Sequence, residues 1–314
     1  MKKNLLAVSA LLLSINNLLA QCACCAGAGS ALNSDNSNGV FTLNKKQFSI
    51  EAIGDYRTIM VEETGGHHES GGDSTAVEET PLTSIFLSSI GLKYGVTKRI
   101  TLSAILPYAI LNTSKGSDNG LGDLMFTGTF NVVQKNTFNL ALSLGVEFPT
   151  GVEKGSAFDE TTVVVGSGSF DPILSIAASK RWNKLTLIGS AFHRQTTVGF
   201  ENTTYSSVSL QNLMLSYTIK GHGNSCEADS VCLKHKINWN INGGYYGEWL
   251  GSIKEGDEVD PNSGYYVGFA TLGTSLSIKN WSIPLTFSYP LIQQMNGQQN
   301  MAGARVRLGI SKKF

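Results

Sequence analysis

The sequence predicts an all-β protein, a transmembrane antiparallel up-and-down β-barrel of about twelve strands that is made after removal of a signal peptide. Three observations lead to this prediction. The last segment alternates between apolar and polar residues, the first segment resembles a secretory signal, and the predicted connections alternate between short and long. This combination is typical of the bacterial outer membrane, which is the location we expect.

The C-terminal segment carries the clearest of these patterns. Val306 and Leu308 fall on one face of the predicted last strand, and Arg305 and Arg307 fall on the other. A strand of a membrane barrel needs one face for hydrocarbon and one for water. The chain ends in Phe314, and an aromatic C-terminus resembles the signal that the barrel assembly machinery recognises. Outer-membrane lipid and this machinery are therefore expected partners.

The N-terminus predicts export. Two lysines precede an apolar run over residues 5–15, and the small residue Ala20 ends the segment. This run is too short to span a bilayer, and no other segment reaches the roughly 18 consecutive apolar residues of a membrane helix. We expect residues 1–20 to form the signal peptide and Gln21 to begin the mature chain.

Composition agrees with a barrel and excludes some functions. Only 15% of the residues are charged, 34 are glycine and 7 are proline, and the net charge is zero with a pI near 7.0. A neutral chain is not expected to bind nucleic acid. Because no linker divides the mature chain, we expect a periplasmic cysteine-containing segment or partial plug over residues 21–46 and a barrel over residues 47–314.

A period of two residues marks the individual strands. In segment 138–148, Leu140 and Leu142 share one face while Asn139 and Glu147 share the other, as in a strand between two environments. The even number of strands places both termini in the periplasm. The predicted strands are residues 47–60, 82–97, 99–112, 121–134, 138–148, 169–182, 185–198, 207–220, 236–248, 265–278, 280–292 and 302–314.

The predicted connections alternate in length, as they do in outer-membrane barrels. Tight turns fall near residues 98, 136, 184 and 280. They are expected on the periplasmic side, and the long loops outside. The long polar loops are predicted over residues 61–81, 113–120, 149–168, 199–206, 249–264 and 293–301.

A short motif resembles a known family. The sequence Gly-Leu-Gly-Asp-Leu at residues 120–124 follows a strand that ends in Leu-Pro-Tyr at residues 106–108. Together with the final strand, it resembles the outer-membrane family associated with the meta-pathway of phenol degradation. The resemblance implies a barrel that moves small, often apolar molecules across the outer membrane. It covers most of the predicted barrel and leaves out the cysteine-rich start of the mature chain.

Charged residues of both signs occupy the polar faces of the predicted strands. They could contact small polar solutes, as charged rings do in channels, or they could pair with one another and fill the barrel. Twelve strands lie between filled eight-stranded barrels and open sixteen-stranded porins, so both interpretations stay open. The predicted lumen residues are Glu51, Asp55, Arg57, Lys93, Asp123, Glu147, Asp171, Arg181, Glu248, Arg305 and Arg307.

Three cysteines stand at the start of the mature chain, Cys22, Cys24 and Cys25. Lipidation of Cys22 would require a small residue in place of Gln21. Closely spaced thiolates favour Cu(I) or Zn²⁺, so a metal site is a second interpretation. A disulfide or a purely structural role is the third. Apart from copper or zinc at these thiolates, no cofactor is expected.

The remaining two cysteines, Cys226 and Cys232, bracket a polar loop over residues 221–235. The predicted topology places this loop in the periplasm. In that oxidising compartment, we expect Cys226 and Cys232 to form a disulfide. His222 and His235 flank the pair and are further candidates for the metal interpretation.

The other histidines give weaker signals. His67 and His68 lie in a glycine-rich segment, where adjacent histidines are expected to be solvated. His193 lies near several serines and is the candidate for a hydrolase site, which would also need an oriented partner group. The sequence has no Gly-x-Ser-x-Gly elbow, nucleotide-binding loop or repeated acidic metal motif, so we expect a protein that is not an enzyme.

The sequence thus predicts an outer-membrane channel for the passive passage of small molecules, with mixed lumen charges setting its preference. Two alternatives stay open. One is an outer-membrane protein that handles soft metal through its periplasmic cysteines, and the other is an outer-membrane hydrolase.

Overall fold

The computed structural model describes residues 39–60, 82–114, 116–151, 165–221 and 237–314. These residues form sixteen strands and one short 3-10 helix over Phe200–Asn202. The strands are β1 (Phe48–Met60), β2 (Leu82–Thr97), β3 (Ile100–Thr113), β4 (Ser117–Leu121), β5 (Leu124–Gln134), β6 (Phe138–Phe148), β7 (Asp171–Trp182), β8 (Leu185–Arg194), β9 (Thr203–Thr204), β10 (Val208–Lys220), β11 (Ile237–Leu250), β12 (Lys254–Glu255), β13 (Glu258–Val259), β14 (Tyr265–Ile278), β15 (Trp281–Met295) and β16 (Met301–Lys313).

The long strands close into a twelve-stranded antiparallel barrel. Each pairs with its neighbour in the chain, and β1 pairs with both β2 and β16, which closes the ring. The short strand β4 pairs with residues 108–112 of β3, and β5 pairs with residues 100–105 of the same strand. β4 and β5 therefore follow one another along a single strand position of the wall. The strands β9, β12 and β13 form a separate three-stranded sheet that joins two of the long connections.

The seam between the first and last strands lies at the end of the barrel that carries both described termini. The backbone N–H of Phe314 donates to the carbonyl of Phe48 at 2.8 Å, and the two rings stack with centroids 4.6 Å apart. The same end carries the tight turns after β2, β5, β7 and β14. It is therefore the periplasmic end, and the long connections lie at the extracellular end.

The outer surface is apolar around the middle of the barrel. Leu144 and Leu272 are 67% and 68% exposed, although they lie in the centre of their strands. Exposure of large aliphatic side chains is costly in water and favourable against lipid. The barrel therefore spans the bacterial outer membrane through its strands. Among the described residues, no helix has the length and apolar character needed to cross a bilayer.

The interior differs between its two halves. The extracellular half holds an apolar layer, in which inward-facing side chains from most of the strands pack on one another. The periplasmic half is lined mainly by serine, threonine and asparagine. The buried apolar layer consists of Ile53, Ile85, Leu87, Ile105, Ala109, Leu111, Met125, Val165, Ile173, Phe192, Val208, Leu210, Tyr246, Leu250, Val267 and Phe269.

The predicted fold class is confirmed, and most predicted strand boundaries agree with the structure within a few residues. Two differences have clear causes. The predicted loop over 113–120 contains β4, because the N–H of Thr113 donates to the carbonyl of Gly116 and the chain then pairs again with β3. The strand predicted over 185–198 ends at Arg194, because the N–H groups of Thr196 and Thr197 donate to side chains, the Ser207 hydroxyl and the Asp171 carboxylate, in place of a backbone ladder. β14 also carries a register shift against β15, between Gly268 and Phe269.

Candidate functional site

The periplasmic half of the barrel encloses a cavity of about 110 Å³. Inward-facing positions of the wall line its sides, and the apolar layer closes it on the extracellular side through residues such as Phe192 and Leu210. The residues 39–43, which we call the strap, close it on the periplasmic side. The cavity is therefore a compartment inside the barrel with a different type of closure at each end.

Small hydroxyl side chains make up much of the cavity wall. They stand at alternate positions of the strands because the pleat turns every second residue inward. Such side chains donate and accept hydrogen bonds and take up little room. A wall of this kind solvates a polar molecule without filling the space. The lining hydroxyls are Thr101, Ser103, Thr127, Thr129, Ser143, Ser175, Ser190, Thr271, Thr286 and Ser288.

The strap runs along the periplasmic mouth from the neighbouring strands β3 and β5 to β7 and β8. The N–H of Leu43 donates to the Thr101 hydroxyl of β3 at 2.8 Å. The Asn131 amide of β5 donates to the carbonyl of Val40 at 3.1 Å. Val40 is 0% exposed and packs on β7 and β8 through Ala177 and Ile188. The strap is therefore held by a few local bonds and one apolar contact.

A glycine in the wall makes room for the chain just after the strap. At Gly95, a Cβ atom would lie 2.0 Å from the backbone oxygen of Asn44. Two backbone hydrogen bonds hold this region, from Lys46 N–H to the Gly95 carbonyl at 2.7 Å and from Gly95 N–H to the Gln47 carbonyl at 2.8 Å. Any side chain at position 95 must displace the chain that leads into the strap.

Two arginines share one carboxylate on the β1–β16 side of the interior. Asp55 Oδ2 lies 3.1 Å from Arg57 Nη2 and 2.9 Å from Arg307 Nη2. The other carboxylate oxygen, Oδ1, has no hydrogen-bond partner, and neither does Nε of Arg307. The cluster is ionic and its hydrogen bonding is incomplete.

A second cluster centres on Glu248 of β11. Arg305 donates to both of its carboxylate oxygens, at 2.7 and 3.1 Å. The hydroxyls of Tyr246 and Tyr265 donate to it at 3.0 and 2.6 Å. The Arg305 guanidinium also lies 4.1 Å from the ring centroid of Phe269, a cation–π contact. Glu248 is thus fully hydrogen-bonded within the apolar layer.

Closer to the periplasm, Lys93 and Glu51 form a pair with Nζ and Oε1 2.8 Å apart. Both residues line the cavity, together with Asp55, Arg305, Arg307 and Lys313. Four cations and two carboxylates therefore contribute to its wall. Among the described residues that line the cavity, cations therefore outnumber carboxylates.

A third cluster lies at the extracellular end, away from the cavity. The Arg194 guanidinium donates to both oxygens of Glu147, at 2.7 and 2.9 Å, and lies 4.0 Å from Asp171. It also donates to the backbone of Ser206, which follows β9. Arg194 is 0% exposed. It fastens the connection before β10 to the barrel wall.

Sequence analysis missed Arg194, although it is central to this cluster. The inward face of β8 combines Ile188 and Phe192 with Thr186 and Ser190, and its outward face is also mixed. With no clean alternation, the sequence gives no sign of which face Arg194 occupies. The strand predicted over 185–198 also extends beyond Arg194, at which β8 ends.

The Asp123 carboxylate serves as a loop clamp. It accepts hydrogen bonds from the N–H of Gly151 at 2.7 Å, from the N–H of Ser167 at 2.5 Å and from the Ser167 hydroxyl at 2.8 Å. It thereby ties both described ends of the β6–β7 connection to the break between β4 and β5. The Gly-Leu-Gly-Asp-Leu motif is thus a structural element at the extracellular rim.

The structure brings five of the eleven predicted lumen residues to the cavity and places six elsewhere. Glu51, Asp55, Lys93, Arg305 and Arg307 line the cavity. Arg57 and Glu248 lie in the ionic clusters above it, and Asp123, Glu147 and Asp171 lie at the extracellular rim. Arg181 is near the periplasmic end of β7. Most of these charges are paired, and direct contact with solute stays a prediction.

Several predicted features fall outside the described residues. They are the signal peptide over 1–20, the N-terminal cysteines Cys22, Cys24 and Cys25, the pair Cys226 and Cys232, and His67, His68, His222 and His235. The described part of the chain holds no group of three or more His, Cys, Asp or Glu residues positioned for a metal ion. The metal and disulfide interpretations therefore stay predictions.

The hydrolase candidate His193 faces outward. Its Nδ1 lies 2.8 Å from the Ser209 hydroxyl, on the neighbouring strand. Within the described residues, this hydrogen bond is the one we find for the imidazole, and no carboxylate orients it. A nucleophilic serine also needs an oriented base and a site for the oxyanion. The contact alone does not support a hydrolase.

Comparison with family models and with curated proteins finds no match. Comparison with solved structures finds outer-membrane barrels. The crystal structure of the COG4313 outer membrane channel from Pseudomonas putida F1 has a TM-score of 0.59 at 15% identity, covering 88% of this chain and 98% of that one. At this identity, the similarity shows a shared fold. The proposed link to phenol degradation stays a prediction.

Two other barrels match less well. The NanC porin has a TM-score of 0.46 at 10% identity, covering 84% of this chain and 100% of that one. A TodX mutant, described as a monoaromatic hydrocarbon channel, has a TM-score of 0.44 at 10% identity, covering 90% and 93%.

Proposed function

We propose that this barrel is an outer-membrane channel for the passive passage of small molecules, with the mixed charges of its interior setting its preference. The observation that carries the proposal is the polar cavity in the periplasmic half. A barrel with a purely structural interior would pack this space, because protein interiors exclude voids larger than a water molecule. The shared fold with a protein known as an outer membrane channel agrees with the proposal.

Among the described residues, the strap and the apolar layer restrict passage, and each suggests a way in which the barrel opens. The strap is held by a few hydrogen bonds and by the buried Val40 side chain. Segments of this kind open locally at a small fraction of the global unfolding free energy. The apolar layer acts as a hydrophobic constriction, a type of gate that blocks ions by dewetting.

The proposal is tested with the purified full-length protein in planar bilayers and in liposomes. Wild-type protein should admit small neutral solutes in a liposome-swelling assay and should show a small, infrequently open ion conductance. Gly95→Ala should raise the open frequency, because its Cβ would displace the chain that leads into the strap. Gly128→Ala is the matched control, because its Cβ would have ordinary contacts beginning at 3.5 Å.

The outcomes are distinct. Solute entry with wild-type protein, increased by Gly95→Ala and not by Gly128→Ala, supports a channel gated by the strap. Solute entry that is equal in all three proteins supports a channel and contradicts the gating role. Absence of both solute entry and conductance in wild-type protein, with a folded barrel shown by gel mobility, contradicts the channel.

A further inference from the structure

We infer that the interior cavity is a binding site for short-chain carboxylates, with Arg307 as the residue that engages the carboxylate group. The inference rests on the proposed function only in assuming that solutes reach the cavity. Four properties of the site support it: an excess of cations, an accessible guanidinium, nearby hydroxyl donors, and an apolar surface in the same cavity.

The excess of cations follows from how the charges are paired. Arg305 is bound to Glu248 through two hydrogen bonds, and Lys93 is paired with Glu51. Asp55 is shared by Arg57 and Arg307. The two ionic clusters above the cavity therefore hold three guanidiniums against two carboxylates. Lys313 adds a further cation to the cavity wall. An enclosed site with a net positive charge favours an anion.

Arg307 is the most accessible of the paired interior arginines. Its side chain is 27% exposed, against 5% for Arg57, 7% for Arg305 and 1% for Arg194. One of its terminal nitrogens, Nη2, is used by Asp55, and the guanidinium has further N–H groups beside it. A guanidinium with donors left over in a partly dry site is well suited to a carboxylate, because its N–H groups match the two oxygens.

Hydroxyl donors stand beside this guanidinium. In the β15–β16 ladder, Thr286 is paired with Arg307 and Ser288 with Arg305. All four residues line the cavity. The hydroxyls offer additional hydrogen bonds to an anion held by Arg307. The inward face is open at this level of β16 because Gly309, which also lines the cavity, has no side chain.

The size of the cavity and its apolar side, which we call the roof, suit the hydrocarbon part of the ligand. Phe192, Leu210, Met214 and Ile53 line it on the side of the apolar layer. The 110 Å³ of the cavity accommodates several water molecules, since about 10–15 Å³ of such space is enough for one. A carboxylate with a chain of three or four carbons fits in that space, with its charge at Arg307 and its hydrocarbon against the roof.

The test measures binding by the full-length protein in detergent, by isothermal titration and by saturation-transfer NMR. Propionate is the probe, and propionamide and n-propylammonium are its neutral and cationic counterparts. Propionate should bind most tightly, and its methyl protons should receive the strongest saturation. Equal binding of propionate and propionamide, or no binding of propionate, overturns the inference without any need for a variant.

Arg307→Gln tests the role of the guanidinium. It should weaken propionate binding roughly ten- to hundredfold, which corresponds to the loss of a charge-assisted hydrogen bond. Lys184→Gln, in an exposed turn at the periplasmic end, is the control and should leave binding unchanged. If Arg307→Gln does not fold, Thr286→Val provides the second variant, and a several-fold weaker affinity is expected. Unchanged affinity in a folded Arg307→Gln protein contradicts the assignment.

Failure of the inference can be told apart from failure of the proposed function. Solute entry into liposomes without selective propionate binding leaves the channel in place and removes the carboxylate site. Selective propionate binding without any solute entry or conductance retains the site and contradicts the channel.

Discussion

Glu248 and Arg305 form a two-point ion pair across the barrel interior, although two strands, β14 and β15, separate them in the wall. Two tyrosine hydroxyls complete the hydrogen bonding of the carboxylate. The pair therefore connects distant parts of the ring from inside. It also fixes the position of Arg305 above the cavity.

This pair gives a stability prediction. Arg305→Met should reduce the free energy of unfolding by about 3–5 kcal/mol, because it leaves the Glu248 carboxylate buried without its cation. The double variant Glu248→Gln with Arg305→Met should recover more than half of this loss, since the neutral amide still accepts from the two tyrosines. Urea unfolding followed by tryptophan fluorescence measures both. A double variant that is less stable than Arg305→Met would contradict this explanation.

The outer surface gives a prediction for insertion. Leu142 is an exposed residue on the outward face near the centre of β6. Leu142→Arg should impair insertion, because a charge near the bilayer midplane costs about 2–4 kcal/mol in a barrel. Asn139→Arg on the inward face of the same strand is the comparison and should be tolerated better. The folded fraction after refolding into lipid vesicles is the measurement, and equal fractions would contradict the assigned faces.

The loop clamp gives a prediction for local stability. Asp123→Ala removes the acceptor of three hydrogen bonds at the ends of the β6–β7 connection. Losing one such charged hydrogen bond costs about 1.5–3 kcal/mol. External protease should therefore cleave this connection roughly ten- to hundredfold faster on intact cells. Asp257→Ala, in an exposed turn, should have no effect. Cleavage of the two variants at the same rate would rule out the clamp.

The strand topology gives a prediction for the cysteines. The end of β10 and the start of β11 lie on the same side as the described termini. A membrane-impermeant thiol reagent applied to intact cells should therefore leave Cys22, Cys24, Cys25, Cys226 and Cys232 unlabelled, and label them after permeabilisation and reduction. A Gln298→Cys variant, in the exposed hairpin after β15, should be labelled from outside. External labelling of the native cysteines would contradict the topology.

Metal analysis addresses the same cysteines. If Cu or Zn is bound, it should stay with the purified protein and be lost when Cys22, Cys24 and Cys25 become serine. A disulfide between Cys226 and Cys232 should survive that change, and mass spectrometry of the unreduced protein would detect it. Metal-free protein with full solute passage would remove the metal interpretation.

The fold was predictable where the two faces of a strand differ. In β6 and β16, large apolar residues alternate with small or polar residues over most of the strand, so the strand and its inward face can be derived from the sequence. In β3, the inward residues Ile105 and Leu111 are as apolar as their outward neighbours. This run is typical of a strand buried on both faces. The apolar run of β3 indicates an apolar layer inside the barrel, which we did not predict from the sequence.

The arrangement of the site was less predictable. A single strand shows which residues point inward, but the partner of Glu248 lies 57 residues away on a strand that is not its neighbour. Such pairs depend on the curvature of the closed ring. The strap was expected only as a partial plug, because its contacts with Thr101 and Asn131 follow from the position of the mouth and from no local pattern.

The strap and the apolar layer differ in how they open, and this difference affects access to the cavity from the two sides of the membrane. A molecule entering from the periplasm needs the strap to detach, and this is a fluctuation of a few residues. A molecule entering from outside must separate side chains that belong to the core of the whole protein, so its barrier is coupled to global stability. Loading of the cavity should therefore be faster from the periplasm, and loading from outside should be more sensitive to heat and denaturant, whereas complete passage in either direction crosses both closures. Mutations that loosen the core would accelerate inward entry first.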